Sequence, residues 1–524
     1  MKHILAYCLL LLVPFISNGQ NNIDSDLGKL EVFLSSIDKR YVDSVQTSSI
    51  IEKGMRSMLE ELDPHSVYMN PAQYKSATEP LSGKFKGIGI RYQVIEDTLT
   101  VIEVLDKSPA KRGGVELADQ IVAIGLDTLS GKSLKSGEMS KALKADENLD
   151  EPLTIIRQSK ALQLTLERDN VLVSSVPSFF MMSENVGYLK LSRFSSTSLV
   201  DFRKALDALV KQGAENLVLD LRGNSGGYLS VAIKIVDEFI EDRKLIVYTE
   251  GVNQSRKETF ATSGGRFTDG KLVVLIDENS ASASEIVAGA IQDWDRGLII
   301  GRRSYGKGLV QRTIEFEDGS AMRLTISRYY TPTGRSIQRP YEDGVKAYRK
   351  DLGARRKSGE LYSQDSIKLN TSDVYFTPSR RKVYGGGGIV PDVFIPADSG
   401  QSNEFLKELN KSRLHYKLAL DYALNHTDQL KASHPSVVDY TKNFDFSEDE
   451  MSGFFERLKE KGIESTETGF AQSEAELGKS LKRLVSRFHY GYRDYHYTML
   501  YKDPALTRAM DSIESGTFED LGLK

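Results

Sequence analysis

The chain has 524 residues, 40% hydrophobic and 27% charged, with 69 Lys and Arg against 73 Asp and Glu. That balance excludes a disordered or collagen-like chain and gives no basic excess for binding nucleic acid. A single cysteine excludes an intrachain disulfide framework and a Cys-rich zinc site, and the length predicts about three to four domains or fewer large ones.

Residues 1–19 read as a signal peptide: Lys2 and His3 at the start, an apolar run over 4–16, and small Ser17 and Gly19 before a cut ahead of Gln20. The run is short for a bilayer span, so an uncleaved anchor is the weaker reading. Cleavage there would remove Cys8 and leave a thiol-free chain, which suits an oxidising exported compartment. The expectation is an exported, periplasmic or envelope-associated protein, soluble after cleavage.

Residues 24–80 carry apolar positions at three- and four-residue steps and predict helices, the second stopped by Asp63-Pro64. From Gly83 to about Val173 the pattern changes to short strands, at 85–92, 99–105, 120–124, 153–157 and 162–167, with a helix at 135–144. Residues 186–330 alternate strand and helix, which argues for a mostly parallel sheet with helices packed on it. Residues 400–524 return to helical texture.

Three turns in the alternating region could carry chemistry. Residues 272–277 form an apolar strand that runs through Ser280, Ser282 and Ser284 into a helix. Such a turn projects a small side chain and aims backbone N–H groups outward, where they can hold a developing oxyanion. Ser282-x-x-Glu285 equally fits a helix-capping box. A serine nucleophile needs a base, yet no histidine lies between His65 and His415. A desolvated lysine can serve instead. Lys307, between Gly306 and Gly308, is the candidate; the bland alternative is a surface turn lysine. Gly301-x-x-x-x-Gly306-Lys307 is close to a phosphate-binding loop, but Gly308 stands where Ser or Thr is required and a β-like run follows, so nucleotide binding is rejected. The third turn, from Asp220 through Gly223, Gly226 and Gly227, suits either an anion site or a tight strand-to-helix turn.

Taken together these segments resemble the C-terminal processing, or tail-specific, serine peptidases. Ser280-Ala-Ser-Ala-Ser-Glu-Ile286 is similar to that family's nucleophile motif and Tyr305-Gly-Lys-Gly-x-x-Gln311 to its base motif. The family's spacing of 25 residues between nucleophile and lysine selects Ser282 (307 − 282 = 25). The resemblance further implies Gln311 as the residue that orients Lys307, and an oxyanion hole from Ala283 with Gly226 or Gly227. Leu62-Asp-Pro-His-Ser-x-Tyr68, Gly83-x-Phe-x-Gly-Ile-Gly-Ile90, the segment from Tyr329 to Gln338 and that from Gly388 to Asp392 resemble other family signatures, so the likeness spans roughly residues 30–395.

The implied architecture is an α/β, ClpP/crotonase-like peptidase core with an inserted PDZ domain and helical terminal regions. Its divisions are a signal at 1–19, helices at 20–82, the PDZ domain at 83–173, the core at 174–398 and a helical tail at 399–524. Gly87, Ile88, Gly89 and Ile90 would line the PDZ groove. The implied activity is endoproteolysis near apolar C-terminal tails of exported proteins, with no metal or cofactor and no nucleic acid. It leaves room for an adaptor and for a homo-oligomer through the C-terminal region. Lys144 stands where some relatives carry an arginine that couples the PDZ domain to the active site. The rival expectation is a non-catalytic PDZ scaffold.

Overall fold

The computed structural model describes residues 20–131, 143, 152–167, 169–398, 404–464 and 470–524. The expected signal peptide with Cys8, most of the helix at 135–144, and Lys144 lie outside the described residues. No described helix is long and apolar enough to cross a membrane.

The centre is a six-stranded sheet ordered Ser178–Met181, Val186–Lys190, Asn216–Asp220, Leu272–Ile276, Leu298–Gly301, Val393–Phe394. Only the first strand runs antiparallel. Leu272–Ile276 is buried at every position, as expected for a parallel strand covered on both faces. Helices Ser198–Lys211, Leu229–Val236 and Ala283–Asp293 cover one face, where Phe194, Phe202, Phe239, Leu219 and Ile276 share one core. The other face, with Tyr188, Val218, Val273 and Leu275, is covered by the end of the chain: Leu500, Leu506, Ala509, Ile513 and Phe518 pack there. Residues 500–518 thus help build the core of the central sheet.

A second, antiparallel sheet holds the strands Leu309–Glu315 and Ala321–Tyr330, joined by the hairpin Leu245–Gly251/Gln254–Phe260, which the sequence reading does not anticipate. Val67–Met69, expected within a helical stretch, pairs on the edge of this sheet, Val67 opposite Arg323. Asp63-Pro64 does end the preceding helix, which closes at Glu60. That pairing carries Asp63 and His65 toward the loop after Gly301.

The β-rich module is set into the chain between two strands that pair with each other, Lys84–Gly87 with Asp169–Leu172. Its own sheet runs Ile90–Ile95, Thr98–Val104, Gln120–Ile124, Leu153–Arg157, Lys160–Leu164. The single strand expected over 85–92 is broken at Ile88-Gly89. Gly89 has φ +79°, and a Cβ there would sit 2.3 Å from that of Ser108, so only glycine fits the turn. Ile90–Ile95 lies at the sheet edge. Helices between Glu404 and Tyr490 form a separate core that takes in Ile102 from the module, with Leu117 and Ala118 packed against it.

Candidate active site

Ser282 stands at the junction of the strand Leu272–Ile276 and the helix Ala283–Asp293 with φ 54° and ψ −110°, a conformation that costs a non-glycine residue on the order of 1–3 kcal/mol. Neighbouring bonds over-determine the turn. Asp277 accepts from the amides of Gly223, Asn279 and Ser280 at 3.0, 3.0 and 3.1 Å. Asn224, fully buried, accepts on its backbone oxygen from the Ala281 amide at 3.1 Å and the Ser284 hydroxyl at 2.8 Å. These contacts clamp the glycine turn onto the serine turn. Sequence reasoning singled out neither Asp277 nor Asn224; the signal that could have found them is a carboxylate closing the apolar strand just before the serine turn and an asparagine inside the Gly-Asn-Ser-Gly-Gly run.

Glu285 joins the serine turn to the lysine loop. Its fully buried carboxylate accepts from the Ser282 amide at 2.7 Å, the Gly306 amide at 2.7 Å, the Lys307 amide at 2.9 Å and the Ser304 hydroxyl. Burial pushes this carboxyl above its ordinary range, against four donors that favour its charged form. The capping-box reading therefore holds for the Glu285 side, and the same carboxylate also shapes the Lys307 backbone. Tyr329, buried, makes a second clasp: its hydroxyl reaches the Ser282 carbonyl at 3.2 Å and the Lys307 carbonyl at 2.9 Å.

Ser282, Lys307, Gln311, Gly226, Gly227, Arg323 and Tyr329 line one cavity of about 500 Å³. Burial, reinforced by the charge of Arg323, lowers the Lys307 amine to about 8. Among the described residues that amine has no ion pair. Gln311 lines the same cavity, but its amide nitrogen donates to the Thr325 hydroxyl at 3.4 Å rather than to Lys307. His65 is the histidine that reaches this neighbourhood. Its Nε2 lies 2.9 Å from the Tyr348 hydroxyl, and burial with the nearby Lys307 charge holds it down to about 4.

The two glycine amides differ. Gly226 donates to the Asn224 side chain at 2.9 Å. Among the described residues the amides of Gly227 and Ala283 have no acceptor. Gly226 is needed for its missing side chain: a Cβ would lie 2.8 Å from the Ala281 carbonyl and 3.1 Å from the Ala283 nitrogen, at φ +101°.

The sequence matches the family model for Peptidase family S41 over residues 185–347 and one for a family of unknown function, DUF8443, over residues 405–491. It is 32% identical over 391 residues to the carboxy-terminal-processing protease of Bartonella bacilliformis, covering 71% of this chain and 89% of that one. The chain belongs to the C-terminal processing serine peptidases of family S41. This peptidase is also 29% identical over 383 residues to the carboxy-terminal processing protease CtpA of Bacillus subtilis, covering 66% and 81% of the two chains. Among solved structures, a photosystem II D1 C-terminal processing protease superposes with a TM-score of 0.38 at 24% identity, covering 70% of this chain and 86% of that one.

In the peptidase's β-rich module, Gly87 ends one strand and Ile90 begins the next, with Ile88 and Gly89 between them. The Ile88 and Gly89 amides have no acceptor among the described residues, while their carbonyls take the amides of Ala110 and Leu105. The Ile88 side chain is buried in the core of the module.

Proposed function

We propose that this serine peptidase works by a Ser282–Lys307 dyad on protein substrates whose apolar C-terminal tails are held by a PDZ domain at residues 83–173. The observation that carries the reading is the shared cavity: a strained serine turn and a desolvated, unpaired lysine are tied to one buried carboxylate, Glu285. In this reading neutral Lys307 takes the Ser282 proton as Oγ bonds to the peptide carbonyl carbon. The oxyanion lies on the Ala283 and Gly227 amides. Collapse breaks the C–N bond, and the lysine ammonium returns its proton to the leaving amine. Water then hydrolyses the acyl-enzyme by the same exchange. Gln311 is assigned to substrate-side or lysine-side contacts within the cavity, reaching Lys307 only if its amide turns from Thr325.

The core at 174–398 is read as ClpP/crotonase-like. The tail carboxylate would sit on the Ile88 and Gly89 amides, its chain adding as a strand beside Ile90–Ile95 at the end of the module's sheet. The chain is read as exported, with residues 1–19 removed. Digestion of a reporter with an apolar C-terminal tail tests the dyad. Ser282→Ala and Lys307→Ala each abolish cleavage while circular dichroism stays native. Wild-type turnover by Lys307→Ala would sink the assignment.

A further inference from the structure

The glycine turn that ends in Gly227 begins at Arg222, and Arg222 is held from outside the family-matched segment. Its guanidinium grips Asp503 with two bonds of 2.9 and 3.0 Å and the buried Asp220 at 2.8 Å. Lys190 donates to the Arg222 carbonyl at 3.0 Å. Burial opposes the charge on Asp220, but Arg222 and Lys190 hold its carboxyl well below the usual range. Asp503 is therefore a second carboxylate recruited by a guanidinium that already has one, and its placement fixes where the turn departs from the sheet. Asp503 is itself fixed, because it caps the helix Pro504–Glu514 by accepting from the Leu506 amide at 2.9 Å.

Eleven residues earlier (503 − 492 = 11) the same segment grips the β-rich module. Tyr492 lies under the Arg91 guanidinium at 4.3 Å. Arg487 pairs with Glu103 at 3.4 Å and stacks on Tyr492 at 4.9 Å, and Glu103 also pairs with Arg91 at 3.0 Å. Between the two grips the helix Tyr492–Leu500 packs on the strand Ser178–Met181, and the Ser178 hydroxyl donates to the Arg493 carbonyl at 3.1 Å.

We propose that residues 487–503 are a strut joining the β-rich module to the glycine turn, with Asp503 a positioning residue for hydrolysis. The proposal rests on reading Gly227 as an oxyanion donor. It assigns a role to part of the chain that no catalytic motif marks.

The test is steady-state cleavage of the tailed reporter by wild type, Asp503→Asn, Asp503→Glu, Arg487→Gln and the Arg487→Gln/Asp503→Asn double variant, with melting curves for each. Asparagine still caps the helix, so the fold persists. kcat falls about tenfold, less than the roughly hundredfold that a full ångström's misplacement of a reacting group can cost, while KM holds. Asp503→Glu recovers most of the loss. The double variant falls no further than Asp503→Asn, because both changes break one strut. Wild-type kcat in Asp503→Asn overturns the positioning role. A loss that follows the fraction unfolded at the assay temperature also overturns it, because the residue is then only structural. Multiplicative losses in the double variant overturn the strut. Ser282→Ala is run alongside: residual turnover there would fault the dyad, whereas a silent Ser282→Ala beside a fully active Asp503→Asn faults the strut alone.

Discussion

At the scale of single residues, the cost of the site is concentrated in Lys307. The unfolded chain holds a proton on this lysine up to about pH 10.5, and the folded chain releases it near pH 8. Between those values the folded state binds fewer protons, so stability rises with pH across that window. Below pH 8 the buried ammonium costs on the order of 3 kcal/mol. Lys307→Met should therefore melt higher than wild type at neutral pH while cleaving nothing, and the gain should vanish above about pH 10.5. Equal melting temperatures at pH 7 would contradict the burial argument. The same value predicts that kcat/KM climbs with pH below about 8 and flattens above it. The serine turn and the lysine loop were candidates from residue type and context, and the family's spacing, not the residues alone, selected Ser282 within the turn. Glu285 was legible only as a capping partner, because its contacts with Ser304, Gly306 and Lys307 cross about twenty residues of intervening helix, turn and strand, which no local pattern encodes.

At the scale of elements, three turns close on one another and each depends on an atom that is missing or buried. Adding a methyl group at Gly226 meets the Ala281 carbonyl and the Ala283 nitrogen. Gly226→Ala should lower kcat by on the order of a hundredfold, the scale of losing one oxyanion donor, with a smaller loss of stability. Unchanged kcat would mean that the Ala283 amide does not face the reaction. Glu285→Gln places an amide donor among four other donors and should lower both melting temperature and turnover. A variant that melts with wild type would show that the carboxylate is dispensable to the clasp. The strand and helix alternation of residues 186–301 could be read from the sequence because each element satisfies its own period. The hairpin Leu245–Gly251/Gln254–Phe260 could not: Gln254, Arg256, Lys257 and Glu258 crowd its second strand, which is mostly exposed, so the apolar alternation that announces a strand is absent there.

At the scale of the whole molecule, the tail is where sequence and structure part. Its aromatic and apolar residues could be read as helical core, but which core they join depends on contacts spanning hundreds of residues. The described helices between Glu404 and Tyr490 share one core with Ile102 of the β-rich module, while residues 500–518 cover the central sheet. Leu506→Ala should cost about 2–5 kcal/mol, as for other buried leucines, read as a lowered denaturant midpoint for the peptidase core. A midpoint equal to wild type would mean that the helix is not part of that core. The same packing sets an order of events during synthesis. The chain is made from its N-terminus, so the serine turn, the lysine loop and the glycine turn all exist before the helix Pro504–Glu514 does. Until that helix arrives, one face of the central sheet is bare and Arg222 lacks Asp503. In a nascent molecule the three turns thus precede the helix that covers their sheet, and the packing of that sheet waits on it.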